Sequence, residues 1–244
     1  CPDGDDPKLS HDVVDGVGDE IEYPLTFAAI HTLLVRHYFR IGAAAVLLAC
    51  ASRPAETPTP PAQLRPLERL AGQEMLVLPV QYLSSTDSLG WMRNIPNRTV
   101  FLDDLDAKIE QELTARGLGS AWTFGREVER ASKMNSILMT DARSLSAEWL
   151  RGRPPQDPAV RDPLASQVRG LVGLKGSRYA LLPVELRLSS KGGTGVATLR
   201  VVFIDSRMAQ IKGVWEVQSD PMTTFSPELT ASVARHFADL VVAP

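Results

Sequence analysis

The chain has 244 residues, with 26 Lys and Arg against 29 Asp and Glu, for a formal net charge of −3 at pH 7. That balance gives no electrostatic case for nucleic-acid binding. The two cysteines are Cys1 and Cys50, so a domain after residue 50 holds no internal disulfide and must rely on its core.

In chain order, the stretch from Cys1 to Glu22 is acidic, carries Lys8 as its sole lysine, and shows no sustained helical or strand period. No methionine occurs before Met75. Residues 1–34 are therefore expected to be an upstream or leader segment outside the mature protein. Val35, if encoded by GTG, would serve as the start and leave Arg36-His37-Tyr38-Phe39-Arg40 as a compact positive region. The alternative, in which Cys1 is itself a processed lipoprotein terminus, leaves the next segment unexplained.

Residues 35–49 have the parts of an export signal: positive Arg36 and Arg40, the apolar run Ile41 to Ala49, and small Ala49 before the cut. The run is too short for a membrane span, which needs about 20 apolar residues. Leu47-Leu48-Ala49-Cys50 resembles the lipobox of bacterial lipoproteins, which implies that the Cys50 thiol carries the lipid and becomes the new N-terminus. Ala51 is not the acidic residue that retains some lipoproteins at the inner membrane, which favours the outer membrane. Residues 50–71 then form a tether, with Pro54, Pro58, Pro60, Pro61 and Pro66 among small polar residues. Such composition favours extended polyproline II, which at about 3.1 Å per residue reaches roughly 50 Å from a membrane surface.

Residues 72–244 are one domain's worth of chain. Glu74 to Val80 reads as a buried strand. Asp103 or Asp104 is expected to cap a helix with Leu102, Leu105, Ile109 and Leu113 on one face and Gly117 at its end. A short strand follows at Ala121 to Phe124, then helices near Arg126 to Met134 and Asp141 to Leu150. Asp162-Pro163 opens another helix, with Leu164, Val168, Leu171 and Val172 inward. Tyr179 to Leu188, Val196 to Ile204 and Ile211 to Gln218 read as three successive strands, the first two joined by a hairpin loop over Ser189 to Gly195. Ser226-Pro227 starts a last helix facing Leu229, Val233, Phe237, Leu240 and Val241 to the sheet. This order predicts an α/β domain of two layers, a mixed sheet with helices packed on it.

The succession of a Val77-Leu78-Pro79-Val80 strand, helix, short strand, helices, Ser177-Arg178-Tyr179-Ala180-Leu181-Leu182-Pro183-Val184 strand and Phe203-Ile204-Asp205-Ser206-Arg207 hairpin leading to Val214-Trp215 resembles periplasmic lipoprotein domains of the CsgG, LpoB and TolB-N-terminal kind. Gly176-Ser177-Arg178-Tyr179, Asp205 and Trp215 occupy the matching positions. The chain has no spare long strands of the kind a CsgG pore needs. The resemblance therefore implies a lipid-anchored envelope protein whose domain binds or scaffolds another envelope or membrane protein. An accessory structural subunit of a larger membrane complex is the alternative.

Chemistry-bearing residues are sparse. Of His11, His31, His37 and His236, only His236 falls in the domain, beside apolar Phe237, where a boundary histidine is expected. Asp103, Asp104 and Asp106 suggest a cation site, yet acids in a first helical turn are equally suited to capping and the helix dipole. Gly117-Leu118-Gly119-Ser120-Ala121 lacks nucleophile-elbow spacing. Gly192-Gly193-Thr194-Gly195 lacks the spacing and the following helix of a phosphate loop. Asp205 is expected to bond local backbone at a turn. No catalytic residue, metal ligand or cofactor site is assigned, and Cys50 is the single site residue.

Overall fold

The computed structural model describes residues 65–153 and 155–243, so the lipobox, Cys50 and most of the tether lie outside the described residues. Within them the strands are β1 (Met75–Val77), β2 (Tyr82–Ser85), β3 (Trp122–Thr123), β4 (Tyr179–Lys191), β5 (Thr194–Asp205) and β6 (Gln210–Gln218). The helices are α1 (Arg98–Ala115), α2 (Gly125–Met134), α3 (Leu164–Lys175) and α4 (Glu228–Asp239).

The strands form one six-stranded mixed sheet in the order β3-β1-β4-β5-β6, with β2 also paired to β4. β1 lies parallel to both β3 and β4 and is buried throughout, as its unbroken apolar run requires. Pro79, which has no N–H for the ladder, ends that run. The chain then returns to β4 as β2, which pairs Tyr82 to Ser85 with Glu185 to Leu188. Opposite this gap β4 carries Pro183, and the β4–β5 register shifts between Pro183 and Glu185. Two prolines thus break the middle of the sheet at the same level.

Alternation along the strands sorts the core. Met75, Val77, Leu181, Leu199 and Val201 pack with Leu105, Ile109 and Leu113 of α1 and Val233 and Phe237 of α4. Leu76, Leu78, Ala180, Leu182, Val202 and Ile204 pack with Val128 of α2 and Leu164, Val168 and Leu171 of α3. The mixed α/β sheet is as the sequence predicts. Its helices cover both faces, so there are three layers where two were expected, because β1 and β4 are apolar on both sides.

Local differences have local causes. α1 starts at Arg98 because Asn97 caps it, its side chain accepting the Val100 N–H at 3.2 Å. Asp103 and Asp104 therefore lie beyond its first turn and do not cap it. The expected helix over Asp141 to Leu150 is a run of turns ending in a 3-10 turn, Glu148–Leu150. Asp141 Oδ1 accepts the Arg143 N–H, and Gln81 bonds Ala142 and Leu145, which takes these backbone groups away from a helical ladder. The β4–β5 hairpin turns on Gly192 and Gly193 alone, with φ of +61° and +82°. Two positive φ values in a two-residue turn match the strand twist, and the seven-residue loop collapses to that turn. Ser226 begins α4 through its carbonyl, which accepts the Leu229 N–H, while its side chain makes no capping bond.

Candidate functional site

The strand gap at Pro79–Gln81 is where polar side chains converge. Asp106 projects from α1, and its Oδ1 accepts the Val80 N–H at 3.0 Å. Its Oδ2 accepts from Nη2 of Arg143 at 2.8 Å. The same Nη2 lies 2.6 Å from Asp103 and 3.1 Å from Glu129 of α2, and Nη1 donates to the Val80 carbonyl at 3.2 Å. Gln81 works from the other side, donating to the Pro79 and Ala142 carbonyls and accepting the Leu145 N–H. The cluster therefore fastens the broken strand, α1, α2 and the segment after α2 to one another.

Its charges are unevenly matched. One guanidinium serves three carboxylates, and the Asp106 side chain is only 4% exposed. Burial pushes its carboxyl up to about 7, against the pull of Arg143 and of the Val80 N–H. Glu129 is also raised by burial, but hydrogen bonds from Lys133 and Arg143 hold it below the usual carboxylate range. The cluster borders a cleft of about 510 Å³ whose lining includes Gln81, Tyr82, Arg98, Glu129, Lys133 and Arg143. The acids of the cluster are turned onto Arg143, Lys133 and backbone, an arrangement suited to holding elements together.

The residues singled out from the sequence go to separate places. Asp103 and Asp106 share Arg143, whereas Asp104 faces Lys108 at 2.9 Å and accepts the Thr230 hydroxyl. Among the described residues no group of three or more His, Cys, Asp or Glu could hold a metal ion. His236 sits at the boundary, its Nδ1 2.5 Å from the Gln218 carbonyl and its Nε2 3.7 Å from Asp220. Asp205 accepts the Arg207 and Met208 N–H groups, as expected of a turn residue, and also pairs with Arg178 at 2.6 Å. Cys50 lies outside the described residues.

Sequence reasoning missed two features. Arg143 stands 37 positions from Asp106, and nothing in spacing could join them. The second was legible: at the end of α2 and in the link after it, Met134, Ile137 and Leu138 are 79%, 96% and 84% exposed. Single exposed apolar residues are ordinary, but three within five positions form a protruding apolar tip. Large apolar residues in a connection expected to be polar were the available signal.

No family model matches the chain, and no curated protein matches it. Among solved structures the chain is similar to the LpoB C-terminal domain from Salmonella enterica, at 14% identity and a TM-score of 0.35, covering 64% of this chain and 93% of that one. It is also similar to PelC, a dodecamer from Paraburkholderia phytofirmans, at 8% identity and a TM-score of 0.35, covering 71% and 91%. A lipoprotein from Neisseria meningitidis matches at 18% identity and a TM-score of 0.32, covering 62% and 83%. LpoB is one of the kinds whose order of motifs this sequence resembles.

Proposed function

We propose that this chain is a lipid-anchored bacterial envelope protein whose periplasmic α/β domain binds another envelope component, and that its role is binding and not catalysis. The observation that carries the reading is the succession in residues 35–71: positive residues, a short apolar run, Leu47-Leu48-Ala49-Cys50, then a proline-rich tether leading to a folded domain. Acyl chains on Cys50 would insert into a membrane leaflet, each buried methylene contributing about 0.8 kcal/mol, with more than one chain needed for stable anchoring. The tether would carry the domain away from that surface. The outer membrane is the proposed location, since Ala51 follows the cysteine. The exposed tip at Met134, Ile137 and Leu138 supports protein binding, because apolar side chains held in water gain free energy when a partner covers them.

Two measurements test this. Cys50→Ala is expected to move the protein from the membrane fraction to the soluble periplasmic fraction; unchanged sedimentation with membranes would sink the anchor. A photo-crosslinking residue at position 137 is expected to give one discrete adduct with another envelope protein in native cells. A smear, or none, would count against the binding role.

A further inference from the structure

A second cleft lies at the end of the sheet where β4 begins and β5 ends. It has a volume of about 490 Å³ and is lined by Arg69, Gln73, Arg178, Tyr179, Phe203 and Lys212, together with Leu70 and Asp205. Three cations therefore face one carboxylate, and that carboxylate is fully engaged. Asp205 receives Nε and Nη2 of Arg178 at 3.3 and 2.6 Å and the N–H groups of Arg207 and Met208. This side-on pairing fixes the Arg178 guanidinium, which also lies 4.9 Å over the Tyr179 ring, and leaves Nη1 free of Asp205. Arg69 and Lys212 pair with no carboxylate among the described residues; Lys212 Nζ bonds only the Gln210 side chain. The cleft also has an apolar wall, because Tyr179 and Phe203 meet at a tilt with centroids 5.4 Å apart and are partly buried.

The cleft is built from fixed parts. Tyr179 and Asp205 are directly paired across β4 and β5, so the sheet sets the spacing of Arg178, Tyr179 and Asp205. Arg69 belongs to a 3-10 turn, Glu68–Leu70, held where the Leu67 N–H donates to the Leu240 carbonyl after α4. Uncompensated cations around a low-dielectric wall concentrate positive potential. A guanidinium with one edge held by a carboxylate still presents its other N–H groups to phosphate oxygens. The lining carries a surplus of two positive charges over Asp205, enough to balance the one or two negative charges of a phosphate ester.

We propose that this cleft binds a phosphate-bearing ligand, with Arg69, Arg178 and Lys212 holding the phosphate and Tyr179 and Phe203 contacting its apolar portion. The phosphate belongs either to an anionic phospholipid headgroup or to a soluble phosphate ester. The site is independent of the envelope-binding role proposed above.

The test uses the full-length chain carrying Cys50→Ala, so that acylation does not mask lipid binding. Phenyl phosphate is titrated by calorimetry, and flotation is measured with phosphatidylcholine vesicles with and without phosphatidylglycerol. Saturable binding of phenyl phosphate supports the site with a soluble source; flotation that requires phosphatidylglycerol supports it with a lipid source. Each cation near an anionic surface is worth roughly a fivefold change in affinity. Arg69→Glu combined with Lys212→Glu is therefore expected to lower affinity by more than about tenfold, while Arg130→Glu, on α2, leaves it unchanged. Unchanged melting of the double variant shows that its fold is intact. The proposal is overturned if neither probe binds, if the double variant binds as tightly as the parent, or if Arg130→Glu loses as much.

Discussion

Asp106 is held by geometry against its own chemistry. A carboxyl at 4% side-chain exposure would shed its charge unless paired, and its one cation is shared with Asp103 and Glu129. Burial raises its value to about 7, and the pull of the shared Arg143 does not offset that. With a folded value above the unfolded value of about 4, the folded state binds the extra proton between those limits. This group's contribution is thus full below about pH 4 and is lost as the pH rises towards 7. Asp106→Asn keeps the Val80 N–H contact but cannot ionise, so the stability of the parent relative to this variant is expected to fall from pH 4 to pH 7 in urea melts. A constant difference would show that Asp106 stays ionised beside Arg143. None of this was legible in the sequence, where Asp103, Asp104 and Asp106 look alike; neighbours far along the chain assign each a different partner. Asp205 was legible, because the backbone groups that it accepts belong to its own turn.

Elements were read best where their stabilising contacts are local. The stripe Leu102, Leu105, Ile109 and Leu113 is buried as its spacing of three and four predicts. The start of α1 was misplaced, because Asn97 precedes the apolar stripe by more than a turn and Asp103 and Asp104 are chemically as good as caps. The cap itself is testable: Asn97→Ala leaves the Val100 N–H without its partner and is expected to cost about 1 kcal/mol, read as a lower urea midpoint at unchanged slope. No change in midpoint would mean that the bond adds nothing over water. The segment Asp141 to Leu150 went the other way. Its residues can form a helix, but the side chains of Gln81 and Ser132 bond its backbone from other elements. A pattern confined to ten residues carries no trace of such partners.

At the scale of the molecule, residues on one strand face two different cores, filled by α1 and α4 on one face and by α2 and α3 on the other. This leaves the link between α2 and the following turns outside both cores, with Ile137 and Leu138 in solvent. Replacing Met134 and Leu138 with Asp is expected to leave the melting temperature unchanged and to remove the adduct formed by the crosslinker at position 137. A fall of several degrees would instead place these side chains in the packing of the fold. By itself the sequence determined the α/β class, the inward faces of α1, α3 and α4, the three long strands and the lipobox-like motif, because each depends on period or spacing within a short window. Only the tertiary structure decided the third layer, the Arg143 cluster and the cationic cleft beside Tyr179. Those features depend on which distant residues share a volume, and sheet pairing, not sequence separation, sets that distance.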